Sequence, residues 1–455
     1  MSRLNVLLVT YSFPPAGGVG VLRASSLARY FPAEGIRLDV LTAHNASAVG
    51  ADSALLRDIP SEVTIHRTIT LDLPFGIKKW IKKLITARKS SPGKAAASAN
   101  KPNFLKRILQ DILLPDPQVT WLPSLTRAAR RIVKTRKIDL VLITVPPFSS
   151  VLLVEKLRKE FPRLPIVVDF RDEWLSTTIN LVSFSRSERA LQVARDSEAS
   201  AVRNATAVVS VTEAARREIR SRYPHEQEAK FQLIPNGFDA TRLRGSVSAP
   251  KHRSGEKIVA TYVGTIYGST EPTTLVEAIL SLPPDVRSRF KLRFIGHIEE
   301  PRFRESLLQL GDMVELMGFL PQSQALALMD ETDYVLLITH DPLNVAAKFY
   351  DYIGSGKPIL ATVHPGGDAR RLLEELNAGW WADSRDVEGI QRLFTDAAGR
   401  GDSLQAVFQP NLQRVAQYER KPLAARYAAL LYSIAGRQRD GDLTAAQAEL
   451  AQEVR

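Results

Sequence analysis

Apolar and polar residues alternate along the first half of the chain in a pattern typical of strands followed by helices. Runs that are apolar nearly throughout predict buried strands, and the stretches between them have the spacing of amphipathic helices. The predicted strands are Asn5–Thr10, 35–43, 138–145, 165–172, 205–212 and 231–237. The predicted helices include Leu22–Phe31, Val151–Phe161 and Glu188–Arg203. This alternation predicts a parallel sheet that is covered by helices on both faces.

The alternation stops at residues 240–257, a polar stretch with Gly, Ser, Pro and basic residues that predicts a linker. It then restarts, with predicted strands at 258–266, 290–298, 313–320, 333–340, 357–363 and 379–383. We therefore predict an α/β protein of two doubly wound domains, 1–245 and 246–410. Ligands of such domains bind outside the carboxyl ends of the strands, and two facing domains would form a cleft. The pattern of residues 411–435 predicts a helical segment that is interrupted at Pro422 and packs back on the N-terminal domain. The polar composition of residues 436–455 predicts a tail.

The charge of the chain is strongly positive, and it is unevenly distributed. The net charge of +12 favours an anionic partner. Between Asp72 and Asp111 there are ten Lys and Arg and no acidic residue. Part of this block predicts a basic amphipathic helix, typical of proteins that lie on an anionic membrane surface. The same pattern fits a surface helix whose apolar side packs on the core, and sparse aromatic residues disfavour nucleic acid. The residues predicted to contact the membrane are Lys78, Lys79, Trp80, Lys82 and Lys83.

Composition excludes several classes of protein. The chain has no cysteine, which excludes disulfides, thiolate zinc sites and cysteine nucleophiles. No window approaches the roughly 18 apolar residues of a spanning helix, and the N-terminus lacks the pattern of a signal peptide. We therefore expect a cytoplasmic protein.

Three glycines, Gly17, Gly18 and Gly20, follow the first predicted strand. A dinucleotide-binding pattern would need a further glycine at position 23, which is Arg23, and an acid where the second strand ends in "LTAHN". A dehydrogenase is therefore disfavoured. Glycines let backbone N–H groups approach an anion, and the following helix adds the positive end of its dipole. The alternative is a tight strand-to-helix turn, which would explain one or two of these glycines.

Several short motifs follow one another along the chain. They are "YSFPPAGGVG…R", "DFRDEW" (169–174), "IPNGFD" (234–239), "YVGTI" (262–266), "MGFLP" (317–321) and "KFYDYIGSGKPILA" (348–361). In this order and spacing, from about residue 4 to 435, they resemble glycosyltransferase family 4. The resemblance implies the GT-B fold, in which two Rossmann-like domains face a cleft. It also implies transfer of a sugar from a nucleotide-sugar with retention of anomeric configuration.

The resemblance assigns a donor site to the second domain. It implies that Lys348 contacts the diphosphate and that Asp351, the second acid of the family's E-x7-E motif, holds ribose hydroxyls. The first acid of that motif is replaced by Leu343, so Asp341 or Asn344 would make its contact. The usual Arg and Lys after "YVGTI" are also missing. The other expected donor-binding residues are Gly17, Gly18, Gly20, Arg23, Gly264, Thr265, Gly296 and Phe319.

Acceptor contacts are expected at the carboxyl ends of the N-terminal strands. Asp172 is assigned there, with His44 and Arg171 at the border and Trp174 offering a flat face to a sugar ring. The alternative is an Arg–Asp network that only holds this loop. The one D-x-D sequence, Asp440–Asp442, lies in the polar tail, so no metal is expected. The nucleotide-sugar is a substrate, and no cofactor is expected.

The sequence thus predicts a retaining, metal-independent glycosyltransferase with Lys348, Asp351 and Asp172 as its catalytic residues. Its donor would be a UDP- or GDP-sugar and its acceptor a glycan or a lipid-linked glycan, in cell-surface polysaccharide or glycolipid synthesis at the inner face of the membrane. Two alternatives remain. One is a GT-B-like protein that binds a sugar nucleotide or glycan without turnover, which Leu343 favours. The other is a nucleic-acid-binding protein, which only the charge favours.

Overall fold

The computed structural model describes residues 3–44, 46, 53–70, 113–176, 187–243, 256–320 and 322–437. These residues form two compact units. The first unit comprises the described parts of Met1–Ser210, Arg222–Gln232 and Ala424–Arg455. The second comprises those of Val211–Ser221 and Leu233–Leu423. Most of the predicted linker, residues 244–255, lies outside the described residues.

The first unit is built on a seven-stranded sheet in the order β3-β2-β1-β4-β5-β6-β7. Its strands are Leu4–Val9 (β1), Ile36–Ala43 (β2), Thr64–Thr68 (β3), Leu140–Val145 (β4), Ile166–Phe170 (β5), Ala207–Ser210 (β6) and Phe231–Leu233 (β7). The pairs from β3 through β6 are parallel. The helices are Val19–Tyr30 (α1), Ser53–Arg57 (α2), Leu122–Thr135 (α3), Leu152–Glu160 (α4) and Glu188–Asn204 (α5). This is the doubly wound order of a Rossmann-type sheet.

Strand β3 is the one strand of this sheet that the hydrophobic pattern did not predict. Its sequence, "TIHRT", is mostly polar, and all five residues are half-buried. An edge strand has a neighbour on one side only and can expose polar side chains, so it lacks the apolar run that marks a central strand. By contrast, β4 is buried at every position.

The second unit repeats this arrangement with a six-stranded sheet in the order β10-β9-β8-β11-β12-β13. Its strands are Ile258–Val263 (β8), Phe290–Ile295 (β9), Val314–Gly318 (β10), Tyr334–Thr339 (β11), Ile359–Val363 (β12) and Gly379–Asp383 (β13). All neighbouring pairs are parallel. The helices are Glu213–Arg222 (α6), Ala240–Leu243 (α7), Thr273–Leu280 (α8), Pro284–Arg287 (α9), Pro301–Leu308 (α10), Gln322–Asp330 (α11), Ala347–Ser355 (α12), Asp368–Glu375 (α13), Val387–Arg400 (α14), Leu404–Val407 (α15) and Leu412–Ala416 (α16).

The central strand β11 shows why this sheet is covered on both faces. Leu336 and Ile338 belong to one buried apolar cluster, whereas Val335 and Leu337 belong to another. Successive side chains of a strand point to opposite faces, so each cluster fills one side of the sheet. The prediction of two doubly wound α/β domains is therefore confirmed.

The last described helix, Arg420–Ile434 (α17), follows a break after α16. The helical segment is interrupted before Pro422, which lies in the first turn of α17, where its missing N–H costs no hydrogen bond. From Ala424 onward α17 belongs to the first unit. There Tyr427 is buried and Tyr432 donates a hydrogen bond from Oη to Gly35 O, 3.0 Å away.

Candidate functional site

In the second unit the strand order reverses between β8 and β11, the point at which open α/β sheets bind ligands. Gly264 follows β8 directly, and the loop 340–346 connects β11 to α12. Helix α12 then begins at Ala347 with no side chain capping its N-terminus and no acid in its first turn. An uncapped helix N-terminus presents unpaired N–H groups and positive potential, which favour an anion.

Three glycines line the carboxyl ends of neighbouring strands in this sheet. Gly264, Gly296 and Gly318 follow or end β8, β9 and β10, and each has a positive φ, between 65° and 139°. Gly264 N donates to Ile295 O, and Gly296 N donates to Gly318 O, both at 2.8 Å. A Cβ on Gly296 would lie 2.1 Å from Gly264 O. The strand ends are therefore packed backbone to backbone, and this edge of the sheet cannot accommodate a side chain at Gly296.

Lys348 lies in the first turn of α12 and reaches the end of β8. A Cβ on Gly264 would lie 3.5 Å from Lys348 Nζ. The ammonium donates a hydrogen bond to Tyr262 Oη and lies 3.6 Å from the centroid of that ring. Burial lowers the pKa of Lys348 to about 7. The structure thus brings together Gly264, Lys348 and the N-terminus of α12, as the donor-site prediction requires.

The loop 340–346 is held by hydrogen bonds within the second unit. Asp341 Oδ1 accepts from the backbone N–H groups of Leu343 and Asn344, at 2.8 and 3.1 Å, and Oδ2 accepts from Asn344 Nδ2 at 2.9 Å. Thr212 Oγ1 donates to Leu343 O at 2.6 Å. Both carboxylate oxygens of Asp341 therefore fix the loop, which argues against a direct contact of this side chain with a donor sugar. Asp351 lies one turn after Lys348 on α12 and is half-buried.

The other predicted donor residues of this unit lie at the same edge of the sheet. Thr265 uses its carbonyl to accept from Tyr262 Oη at 2.9 Å. Phe319 directly follows Gly318 and is 64% exposed, with its ring stacked on His297 at a centroid distance of 5.3 Å. An exposed aromatic stack at strand ends is suited to a flat ligand group.

In the first unit the glycine loop forms the N-terminus of α1. Gly18 precedes the helix with φ 98°, no side chain caps it, and the first turn contains no acid. Gly18 and Gly20 are exposed, and Gly17 is half-buried. The loop therefore has the geometry predicted for an anion-binding turn: a conformation that glycine adopts easily, followed by uncapped N–H groups.

Arg23 lies one turn further along α1, but its guanidinium is already paired. Nε and Nη2 donate to the two carboxylate oxygens of Asp169 at 2.9 and 2.8 Å. The Arg23 side chain is 10% exposed, and that of Asp169 is fully buried. The guanidinium also lies 5.5 Å from the centroid of Tyr427. This buried bidentate pair argues against the predicted contact of Arg23 with a diphosphate.

Arg171 is likewise committed to the protein backbone. Its guanidinium donates from Nε to Val145 O at 3.2 Å, from Nη1 to Gly20 O and from Nη2 to Pro146 O. Burial lowers its pKa. Arg171 thus ties the glycine loop to the loop after β4, so these hydrogen bonds give it a structural role that works through backbone carbonyls.

Trp174 does not offer an open face. It is 2% exposed and stacks on Phe148, with ring centroids 4.6 Å apart and planes 2° from parallel. The half-buried Phe148 therefore covers the face that was predicted to contact a sugar. Asp172 is half-buried, and His44 is exposed at the end of β2. The predicted membrane residues Lys78, Lys79, Trp80, Lys82 and Lys83 lie outside the described residues.

Two features near these sites were missed by sequence analysis. One is the hydroxyl of Tyr262, since a tyrosine inside an apolar strand predicts only core packing. The other is an ion-pair network beside Asp172, in which Glu173 accepts from Arg222 Nη2 at 2.6 Å and from the backbone N–H groups of Leu175 and Ser176. Arg222 Nε also donates to Glu198 at 2.8 Å, and burial raises the pKa of Glu198. From the sequence, the one indication of these contacts is the general rule that a buried polar group has a hydrogen-bond partner.

The fold agrees with that of known GT-B proteins. HepE from Anabaena, solved with UDP and glucose, superposes with a TM-score of 0.60, 16% identity, and coverage of 95% of this chain and 100% of HepE. Sucrose-phosphate synthase from Thermosynechococcus elongatus superposes with a TM-score of 0.61, 14% identity, and coverage of 95% and 99%. Two doubly wound sheets in one chain, with these neighbours, define the class as a GT-B fold.

The sequence comparisons match parts of the chain to known glycosyltransferases. Residues 90–242 match the model described as Glycosyltransferase Family 4. Over 216 residues the chain is 28% identical to WcaL of Salmonella typhimurium, whose name assigns it to glycosyl transfer in colanic acid biosynthesis. That alignment covers 45% of this chain and 52% of WcaL, about half of each. Both matches cover part of the chain, and both agree with the resemblance to glycosyltransferase family 4 that its motifs indicated.

Two further observations concern the described residues alone. No helix among them is long and apolar enough to span a membrane. They also contain no group of three His, Asp or Glu side chains that could hold a metal ion. Metal independence stays a prediction.

Proposed function

We propose that the protein is a retaining glycosyltransferase that moves a sugar from a UDP- or GDP-sugar to a glycan or lipid-linked acceptor, without a metal ion. The observation that carries this proposal is the position of Lys348. It brings a cation, an uncapped helix N-terminus and the bare backbone at Gly264 to the switch point of the second sheet. These are the groups that bind a diphosphate.

Lys348 would act on the leaving group. In the transfer, the bond between the anomeric carbon and the diphosphate oxygen breaks, and the acceptor oxygen bonds to that carbon. The acceptor proton goes to the departing phosphate oxygen, so no side-chain nucleophile is required. Negative charge grows on the diphosphate in the transition state, and a fixed cation with oriented N–H groups stabilises it there.

The two units would divide the substrates between them. The donor would bind the second unit, with Asp351 near the ribose and Phe319 and His297 beside the base. The acceptor would bind the first unit near Asp172. WcaL, by its name, acts in the synthesis of a polysaccharide, which supports a glycan or lipid-linked acceptor for this chain.

The test is a panel of nucleotide-sugars incubated with the protein and glycan acceptors, with released UDP or GDP as the readout. Lys348→Ala should lower turnover at least about 100-fold, the typical cost of losing one group that stabilises transition-state charge. Lys291→Ala is the matched control, because Lys291 pairs with Glu315 on the surface of the same unit. Full activity of Lys348→Ala would refute the role of Lys348. Nucleotide-sugar binding without any release of nucleotide would instead favour a non-catalytic binding protein.

We also propose that the basic block between Asp72 and Asp111 attaches the protein to the inner face of a membrane. Lys78, Lys79, Lys82 and Lys83 of this block should each contribute about 1 kcal/mol near an anionic surface. Replacing Lys78, Lys79, Lys82 and Lys83 with Glu should abolish sedimentation with phosphatidylglycerol vesicles and leave turnover of a soluble acceptor intact. Unchanged sedimentation would contradict the attachment, and tighter binding to duplex DNA than to vesicles would favour nucleic acid as the partner.

A further inference from the structure

Tyr262 lies in β8, two residues before Gly264, and makes two contacts with the Lys348 ammonium. Its hydroxyl accepts a hydrogen bond from Nζ, and its ring centroid lies 3.6 Å from Nζ. The same hydroxyl donates to Thr265 O at 2.9 Å. Both sides of the hydroxyl are therefore used, and a chain of hydrogen bonds runs from Lys348 through Tyr262 to the turn after β8.

The tyrosine is itself rigidly held. It is fully buried in the apolar cluster on one face of the second sheet, and its ring packs at a tilt on Phe294, with centroids 5.7 Å apart. A buried ring of this kind cannot change rotamer without disturbing its neighbours. The position of its hydroxyl, and with it the position of Nζ, is therefore fixed by the core of the sheet.

Tyr262 is the only hydrogen-bond partner of Lys348 Nζ among the residues that the structure describes. An ammonium has three N–H donors, so two remain for a ligand while the contact with Tyr262 persists. A lysine side chain otherwise samples many rotamers, and fixing it in advance removes that entropy cost from ligand binding.

Tyr262 contacts the ammonium from β8. The other titratable groups of the adjoining segments are Asp351 and Tyr352 on the helix that carries Lys348, and Tyr267 in the turn after β8. Burial raises the pKa of both Tyr262 and Tyr352, so both hydroxyls stay neutral. Burial also brings the pKa of Lys348 to about 7, and the hydroxyl and ring of Tyr262 favour the charged form.

We propose that Tyr262 is a positioning residue that holds the Lys348 ammonium charged and aimed at the carboxyl end of β8, ready to receive a diphosphate. This inference rests on the proposed function for the identity of the anion. The contact between Tyr262 and the Lys348 ammonium does not depend on a ligand, so it can be tested in the ligand-free protein. Tyr262→Phe keeps the ring and removes the hydroxyl.

The first experiment needs no ligand. The rate of acetylation of Lys348 by acetic anhydride, followed by peptide mass spectrometry from pH 5 to 10, reports the pKa of this amine. In Tyr262→Phe the midpoint should fall by about one pH unit, equivalent to a tenfold change, because an acceptor to the ammonium is lost. Tyr334→Phe removes the hydroxyl of another buried tyrosine in the same sheet and should leave the midpoint unchanged. An unchanged midpoint in Tyr262→Phe would overturn the proposal.

The second experiment measures calorimetric binding of UDP and of inorganic pyrophosphate. Tyr262→Phe should weaken both about tenfold, and in the Lys348→Met background the same substitution should change neither. An equal loss in both backgrounds would show a merely structural effect and overturn the positioning role. A shifted acetylation midpoint without any binding of UDP or pyrophosphate would leave Tyr262 as the residue that holds Lys348 and would refute the proposed function instead.

Discussion

Replacing Arg23 with methionine removes the charge that faces Asp169 and keeps most of the apolar stem of the side chain. The Asp169 carboxylate is fully buried and accepts both of its bonds to Arg23 at 2.8–2.9 Å. Arg171 is nearby and its charge also acts on Asp169, but each of its three guanidinium nitrogens donates to a backbone carbonyl. Leaving a buried charge without its partner costs about 3–5 kcal/mol. For a domain of this size that lowers the unfolding midpoint by about 6–20 °C.

The assay is thermal unfolding by scanning calorimetry, with two matched variants. Arg29→Met, on the same helix, removes a half-buried arginine whose Nη1 lies 3.7 Å from Asp58 Oδ2, and it should cost less than about 1 kcal/mol. Combining Arg23→Met with Asp169→Asn removes both charges and should recover much of the loss. The reasoning is refuted if Arg23→Met is as stable as Arg29→Met, or if the double variant is no more stable than Arg23→Met alone.

Two further predictions concern the backbone and pH. Gly296→Ala should destabilise the second unit by more than about 2 kcal/mol, because the new Cβ would lie 2.1 Å from Gly264 O at a residue with positive φ. Gly268→Ala is the control and should be near neutral, since the space around Gly268 is open. Equal unfolding midpoints for the two variants would contradict this prediction. Burial alone would raise the pKa of Asp39, but the hydrogen bond from His66 and the charge of Arg136 outweigh it and hold the pKa below the ordinary 3.8. This lowered pKa gives a stabilising contribution that is present above the unfolded-state pKa and lost as the pH falls through the folded-state pKa. Asp39→Asn should therefore flatten the loss of stability below about pH 4, and parallel acid-unfolding curves would exclude the idea.

The sheets were predictable because their central strands are apolar on both faces. Strand β11 is one example: its sequence "YVLLIT" is apolar on both faces and is buried at every position, as expected for a parallel sheet covered by helices on both sides. Strand β3 was not predictable in the same way, because an edge strand half-exposed at all five residues carries no apolar run.

The location of the candidate site in the second sheet was predictable from the sequence, but the contacts of its side chains were not. Gly264 and Lys348 meet as expected, because strand ends and helix starts converge at the switch point of the sheet. The partners of charged groups were not predictable: Arg23 and Asp169 are far apart in sequence, and nothing local shows that each neutralises the other. The same holds for Trp174, whose apparent open face is covered by Phe148.

The first unit combines residues from the beginning of the chain with residues from Ala424 onward, and most of the second unit lies between them. This arrangement has a consequence for the order in which the protein folds. Tyr427, Leu431 and Tyr432 of α17 are buried in a unit whose first strand is made hundreds of residues earlier. On the ribosome, that unit would wait on the order of 10–40 s for the intervening second unit to be synthesised at typical rates. During this time the surface around Gly35 and Phe31, which α17 later covers, is open to water and to chaperones. An expression clone that stops before Ala424 would keep the first unit permanently in this unfinished state.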